Sequence, residues 1–217
     1  MRCDAKNRGF TLVELLIYIA LFGILSTFIY SLFIQNFKTY SSQQNSMVMT
    51  QDLRAAIGIM VRELRLAGYN PTGAVGIGFV DDADDRYNTD ANSIHFTMDI
   101  DDDAGSGSPD GDVDDENEDV NYYLYTTDGI QKLGRRTGGG NPQPIAENIA
   151  SLTFSYTFAD GDIGVPDLTD GDTTNDLDDI RAVQITITAE TAEIDPLTKQ
   201  KKTKAYTTTV KIRNLGF

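Results

Sequence analysis

An uncharged apolar segment near the start of the chain constrains its fold more than any other feature. Residues 15–34 contain no charged side chain, and the stretch before them carries Arg2, Lys6 and Arg8. A helix of about 20 residues spans the hydrocarbon core of a bilayer. We therefore expect a transmembrane helix, with the basic residues on the cytoplasmic side and the chain beyond Ile34 on the other side.

Two simpler interpretations of this segment leave something unexplained. A cleaved secretory signal has an apolar core of only about 7 to 15 residues, followed by a small-residue cleavage site, so the segment is too long for one. A plain signal anchor has the same topology but does not account for Glu14 at the start of the apolar run. An unpaired charge in lipid costs about 2.5 kcal/mol or more, so a partner for Glu14 is expected.

The residues around Glu14 resemble a known processing signal. A basic start, then Gly9, Phe10, Thr11 and Leu12, with Glu14 ahead of a long apolar helix, is similar to the class III signal of type IV pilins and pseudopilins. The resemblance implies that a prepilin peptidase cuts between Gly9 and Phe10 and methylates the new amino terminus of Phe10. It also implies that Glu14 meets the N-terminal amine of a neighbouring subunit during docking, which would neutralise both charges.

The helix is predicted to continue well past the membrane. Apolar and long side chains keep three- and four-residue spacing after Ile34, which indicates an amphipathic helix. The stripe comprises Phe33, Phe37, Tyr40, Gln44, Met47, Leu53, Ile57, Met60, Val61 and Leu64. Gly68 and Pro71 are stop signals. The predicted organisation is a leader at 1–9, a membrane and assembly half of the helix at 10–34, an outer half at 35–70, and an exported headpiece at 71–217.

Two stretches outside the signal resemble one subgroup of this family. Residues 51–71 and residues 210–215 resemble the corresponding parts of PilW-like minor pilins. Many major pilins carry a proline in the membrane half of the helix, and this sequence has none there. The resemblance implies a structural minor pilin that takes part in initiating pilus assembly and sits at the filament tip. Its expected partners are the prepilin peptidase, other minor and major pilins, and the inner membrane.

Two alternatives share the same signal and helix. One is a type II secretion pseudopilin, which would act in a periplasmic pseudopilus rather than an extracellular pilus. The other is an adhesive tip subunit whose loops bind a ligand with the help of calcium. In each case the protein would first be a single-pass inner-membrane protein with a periplasmic headpiece.

The headpiece is predicted to be β-rich. Short segments rich in β-branched and aromatic residues read as strands. They are residues 75–80, 93–98, 120–125, 130–133, 149–158, 180–189 and 204–213. Apolar and polar residues alternate along 152–156 and 183–188, as in half-exposed antiparallel strands. The expected fold class is α+β, with one long N-terminal helix packed on a single antiparallel β-sheet.

Aspartates concentrate in three loops of the headpiece, at 81–85, 99–119 and 160–179. Calcium takes six to eight oxygen ligands, and alternating aspartates let successive side chains converge on one ion. The calcium candidates are Asp99, Asp101, Asp103, Asp110, Asp112 and Asp114. A second candidate set comprises Asp170, Asp172, Asn175, Asp176, Asp178 and Asp179. Neither matches a full EF-hand motif, and a solvated acidic loop is the alternative.

Other chemistry is disfavoured by composition. The net charge of −15 becomes −17 without residues 1–9, and such an acidic body lacks the cations that phosphate backbones require, so direct nucleic acid binding is not expected. The only cysteine, Cys3, precedes the expected cut, and the only histidine, His95, lies in a predicted strand. With no recognisable nucleophile, metal cluster or phosphate loop, the protein is not expected to be an enzyme.

Overall fold

A single helix of 53 residues, α1 (Leu12–Leu64), organises the molecule. The computed structural model describes residues 10–81, 88–102, 104–167, 174 and 176–215. No proline interrupts residues 10–70, so the backbone hydrogen bonds of the helix run unbroken. At its outer end the chain turns at Gly68, whose φ is +71°. A Cβ there would lie 2.5 Å from Leu215 Cδ2, so both backbone and packing require glycine.

Only the outer part of α1 packs on the headpiece. Its buried residues all lie from position 42 onward: Ser42, Met49, Leu53, Ala56, Ile57, Met60 and Leu64. The stripe predicted from 53 to 64 is therefore largely confirmed. Its inner members Phe33, Phe37 and Tyr40 are exposed, because the headpiece reaches down the helix only as far as Ser42. Met47 is exposed as well, although Ser42 and Met49 on either side of it are buried, so it lies on a face of the helix that does not meet the headpiece. Within the predicted outer half, residues 35–70, the buried residues of the helix begin at Ser42.

In the described part of the chain after the helix there are eight strands, and every pairing between them is antiparallel. They are β1 (Ile94–Thr97), β2 (Asp119–Thr127), β3 (Ile130–Thr137), β4 (Gln143–Glu147), β5 (Ile149–Phe158), β6 (Ile163–Gly164), β7 (Ile180–Glu190) and β8 (Thr203–Lys211). A single turn of 3-10 helix, Leu177–Asp179, precedes β7. The α+β class and the helix packed on antiparallel strands are confirmed.

The strands form two four-stranded sheets where a single sheet was expected. The strand orders are β1-β2-β3-β4 and β6-β5-β7-β8. Only Asn148 separates β4 from β5, and its φ of 57° is a left-handed conformation that an extended strand cannot contain. At this residue the chain leaves the first sheet, after Glu147, and enters the second at Ile149. Helix α1 contacts β4, β7 and β8, so it packs on both sheets.

One predicted strand is not observed, and two observed strands are not predicted by the sequence pattern. Residues 75–80 form no strand and contribute one isolated bridge, between Phe79 and Phe96. Strand β4 was not predicted because Pro142 and Pro144 flank and interrupt it, but it lies at the edge of its sheet, where a missing N–H is tolerated. The two-residue β6 is too short to leave a sequence pattern.

The core lies between α1 and the inner faces of the sheets. Leu53, Met60 and Leu64 of the helix are almost fully buried, as are Val183, Ile185 and Ile187 of β7. The alternation predicted for β7 is confirmed, since Gln184 between them is exposed. Each such apolar side chain contributes about 1.5 to 3 kcal/mol of burial free energy, so this interface is the main attachment of the helix to the sheets.

Two polar contacts fix α1 at the two ends of its packed half. At the outer end, Glu63 accepts hydrogen bonds from Tyr122 and from Arg135 Nε, the latter at 3.0 Å. At the inner end, Ser42 Oγ donates to Asp195 Oδ2 at 2.6 Å, and Lys202 Nζ lies 2.8 Å from the same oxygen. The hydrogen bonds from Lys202 and Ser42 hold the pKa of Asp195 well below its usual range. This link is therefore complete at neutral pH and weakens only as acid protonates the carboxylate.

Candidate functional site

The predicted processing and assembly residues surround the first turn of α1. Thr11 is the N-cap, and its Oγ1 accepts a hydrogen bond from Glu14 N at 3.3 Å. In return, Glu14 Oε2 accepts one from Thr11 N at 3.5 Å. This reciprocal pair is a capping box, which satisfies two backbone N–H groups that would otherwise lack partners. Gly9, on the other side of the expected cut, lies outside the described residues.

The capping box gives Glu14 a second role that the sequence analysis missed. The signal was present, because Thr11-x-x-Glu14 matches the pattern of a Ser or Thr cap followed three residues later by Glu or Gln. A carboxylate in the first turn also interacts favourably with the positive end of the helix dipole. The structure thus places the Glu14 carboxylate beside the chain segment where cleavage would create a new amine, one residue before Thr11.

The inner part of α1 forms a bare apolar surface. The helix is long and apolar enough to cross a membrane by length and composition, and its most apolar window is entirely unburied. Phe10 packs edge-on against Tyr18, with ring centroids 6.0 Å apart, but the large apolar side chains from Leu12 to Tyr40 remain exposed to the surroundings. Such a surface requires a partner, which lipid supplies for the first 20 residues or so.

The first acidic loop brings some of its aspartates together. Carboxylate oxygens of Asp110, Asp112 and Asp115 lie within 4.8 Å of one another. The predicted set shares Asp110 and Asp112 with this group, whereas Asp114 is not a member. The chain is not extended here, since Gly111 has a φ of 102°, and Asp112 and Asp115, three residues apart, converge. A pattern of alternate residues could not reveal Asp115.

The other described calcium candidates in this loop accept hydrogen bonds from groups of the protein. Asp99 is fully buried, and its carboxylate accepts hydrogen bonds from Thr72 Oγ1 at 2.8 Å and from Asp110 N at 3.1 Å. Asp101 accepts hydrogen bonds from the backbone of Asp102 and Gly107. Asp103 lies outside the described residues. Asp99 therefore orients the segment that carries Asp110.

Glu118 is a buried acid that the sequence analysis did not single out. Its Oε1 accepts hydrogen bonds from Ile100 N at 2.6 Å and Asp101 N at 2.9 Å, which ties the two ends of the loop together. Its Oε2 is buried and has no hydrogen-bond partner among the residues that the structure describes. Burial of an acid within an acidic loop leaves no sequence pattern, because the contact depends on the fold.

The second acidic candidate is only partly within the described chain. Asp170, Asp172 and Asn175 lie outside it, as do most of residues 81–85. Asp178 and Asp179 belong to the 3-10 turn before β7, where Arg181 Nη1 donates to Asp178 O at 2.7 Å and Arg181 Nη2 lies 3.8 Å from Asp179 Oδ1. A cation site at these two residues would compete with this arginine.

His95 lies in β1 and faces the neighbouring strand. It is 5% exposed, and its Nε2 is 2.6 Å from Asp119 Oδ1 in β2. The prediction that His95 lies in a strand is confirmed, and the structure shows that it is packed. With Asp119 paired to it across two strands of one sheet, the histidine contributes to strand pairing.

One comparison with known proteins bears on the first turn of α1. Residues 4–30 match a family model described as the prokaryotic N-terminal methylation motif. No curated protein matches the chain. The motif is a prepilin-type signal, so it implies processing by a prepilin peptidase and assembly with other pilins. Together with the exposed apolar helix, it fits a membrane-anchored, type IV pilin-like protein with an exported head.

Proposed function

We propose that this protein is a PilW-like minor pilin, which helps to initiate pilus assembly and occupies a position at or near the filament tip. Its role is structural rather than catalytic. The signal supports a pilin or pseudopilin-type subunit. The PilW-like assignment is supported by the resemblance of residues 51–71 and 210–215, which form the outer part of α1 with its turn and the end of β8 with the segment after it.

The observation that supports this proposal is an exposed apolar surface on α1, beyond the segment that crosses the membrane. Phe37, Tyr40 and Met47 are each about two-thirds exposed, and all follow the uncharged run that ends at Ile34. Residues 10–47 would span about 57 Å as a helix, whereas the hydrocarbon core is about 30 Å thick. Lipid therefore cannot cover them all. The matching apolar helices of other pilin-like subunits would do so.

A photo-crosslinking experiment tests this packing. With a photoreactive amino acid at Phe37 of the full-length protein in its native cells, we expect crosslinks to other pilin-like subunits, identified by mass spectrometry. The same group at Val75, which is fully exposed on the headpiece, is the control. If Phe37 gives no more subunit crosslinks than Val75, helix packing is not the basis of assembly. Partners from a secretion system instead of a pilus would assign the protein to a pseudopilus.

The processed form is predicted to start at N-methylated Phe10. We expect intact-mass analysis of the protein from cells with a prepilin peptidase to show loss of residues 1–9 and the gain of one methyl group. In cells lacking the peptidase the full chain should remain. Gly9→Leu should also remain uncut because a large side chain would occupy the position before the cut. A mature protein that retains Met1 in peptidase-containing cells would contradict the prediction.

We also propose that the first acidic loop binds calcium through Asp110, Asp112 and Asp115, with Asp99 and Asp101 holding the loop in shape. We expect calcium to raise the thermal midpoint of the full-length protein in detergent. A ligand at 100 times its Kd stabilises the folded state by about 2.7 kcal/mol. Asp112→Asn should remove most of the shift, whereas Asp160→Asn, in the turn before β6, should not. Absence of both a calorimetric signal and a thermal shift would exclude the site.

A further inference from the structure

The hairpin that joins β7 to β8 points back towards the membrane. One end of these paired strands lies at the outer end of α1, where Asn214 Nδ2 donates to Arg65 O at 3.2 Å. The other end is the tip, residues 191–202, which meets α1 at Ser42. Ser42 follows Ile34 by eight residues, about 12 Å along a helix. The tip is therefore the described part of the headpiece that lies nearest to the end of the apolar run.

The tip is rigid and presents apolar side chains outward. Asp195 is 2% exposed, and its Oδ1 accepts hydrogen bonds from Leu197 N at 2.7 Å and Thr198 N at 3.1 Å. This turn leaves Ile194 60% exposed and Leu197 52% exposed. Two large apolar residues at the end of a fixed turn cost free energy in water, and an interface between water and lipid would accommodate them.

The charges around the tip favour an anionic surface. No acidic residue follows Asp195 in the sequence. Residues 190–204 contain four lysines and three acids. Two of the acids are neutralised, Glu190 by Lys201 at 2.5 Å and Asp195 by Lys202 at 2.8 Å, and the third, Glu193, is exposed. Lys204 Nζ donates to Thr50 Oγ1 at 3.3 Å, whereas Lys199 is exposed and forms no salt bridge among the described residues, and Lys38 lies on the helix between Ile34 and Ser42. The tip thus carries exposed cations on an otherwise acidic headpiece.

The described parts of two acidic loops lie at the opposite end of the molecule. Asp99 N donates to Tyr69 O at 2.8 Å, which places the first calcium candidate loop beyond the outer end of α1. The pairing of Phe158 with Ile180 places the described ends of the loop between β5 and β7 there as well. An anionic bilayer would repel this end and attract the tip, so the charge distribution orients the headpiece along the helix axis.

We propose that the tip of the β7–β8 hairpin docks on the anionic lipid surface of the membrane from which α1 emerges. Ile194 and Leu197 enter the interface, and Lys199 approaches the lipid phosphates with Lys38. This second contact sets the depth of α1 and the orientation of the headpiece before the subunit enters a filament. The inference rests on the membrane anchoring by α1 and not on the PilW-like assignment.

A depth measurement tests the docking. The full-length protein with Cys3→Ser and Leu197→Cys, carrying an environment-sensitive fluorophore, is reconstituted into phosphatidylcholine vesicles with or without phosphatidylglycerol. We expect a blue-shifted emission and quenching by lipids with a nitroxide near the headgroup, both stronger with phosphatidylglycerol. Val75→Cys, at the outer end, is the matched control. A fluorophore at this position should show the emission expected in water in both kinds of vesicle. Equal signals at Leu197→Cys and Val75→Cys, in vesicles that contain the protein, would overturn the docking. Failure of the protein to float with the vesicles would instead contradict the membrane anchoring by α1.

Charge variants separate lipid from protein partners. One lysine near an anionic surface changes partitioning by about fivefold, so Lys38→Gln with Lys199→Gln should remove most of the dependence on phosphatidylglycerol. Lys211→Gln with Arg213→Gln, at the far end of the hairpin, should not. A quenching signal at Leu197 that ignores lipid charge but rises with protein density would show that the tip binds a neighbouring copy, and would overturn the proposal.

Discussion

Glu14→Val is expected to abolish incorporation of the subunit into a filament while leaving its insertion into the membrane intact. Valine removes a carboxylate at the edge of the apolar run, where an unpaired charge costs about 2.5 kcal/mol or more, so the anchor itself becomes more favourable. Docking loses the attraction between Glu14 and the neighbour's amine, and a loss of only about 1.4 kcal/mol already lowers an equilibrium constant tenfold. Membrane fractionation and immunodetection in sheared filaments measure the two quantities separately.

The capping box requires a control that keeps the hydrogen bond and removes only the charge. Glu14→Gln retains an oxygen that can accept from Thr11 N, because glutamine also forms capping boxes. We expect Glu14→Gln to assemble as poorly as Glu14→Val. Thr11→Ala removes the cap at a cost of about 1 kcal/mol but retains the charge, so it should assemble. Normal assembly of Glu14→Gln would show that Glu14 acts as a cap and not through a charge pair.

Much of the fold could be predicted because its elements have strong local patterns. The absence of proline before Pro71 and the spacing from Leu53 to Leu64 predict the helix and its packed face. The alternation of Val183, Ile185 and Ile187 with polar residues predicts β7 and its buried side. In each case a period of about 3.6 or 2 residues reports directly which face meets the core.

The remaining features depend on contacts between distant residues. The chain passes from one sheet to the other at Asn148, and an isolated asparagine leaves no periodic signal. The inner limit of packing on α1 is set at Ser42 by Asp195, which is 153 residues away in the sequence. The calcium candidates show the same limit, because Asp115 joins Asp110 and Asp112 only through the bend of the loop.

The buried ion pair at the outer end of α1 leads to a second prediction of large effect. Glu63 and Arg135 have side chains only 14% and 15% exposed. Burial raises the pKa of the Tyr122 hydroxyl, and the neighbouring Glu63 carboxylate raises it further, so Tyr122 stays protonated and donates to Glu63. Removal of one partner of a buried pair leaves the other charge without compensation, at a cost of about 3 to 5 kcal/mol.

Arg135→Ala is therefore expected to lower the free energy of unfolding of the headpiece by about 3 kcal/mol, because Glu63 would remain partly buried beside Tyr122. Lys132→Ala is the matched control on the same strand. Its partner Glu147 is half exposed, and a pair of that kind contributes about 0.2 to 1 kcal/mol. Denaturant unfolding of the full-length protein in detergent measures both. Combining Arg135→Ala with Glu63→Gln should recover part of the lost free energy of unfolding, since glutamine carries no charge. Equal losses for Arg135→Ala and Lys132→Ala would show that the Glu63–Arg135 pair does not hold α1 on the sheet.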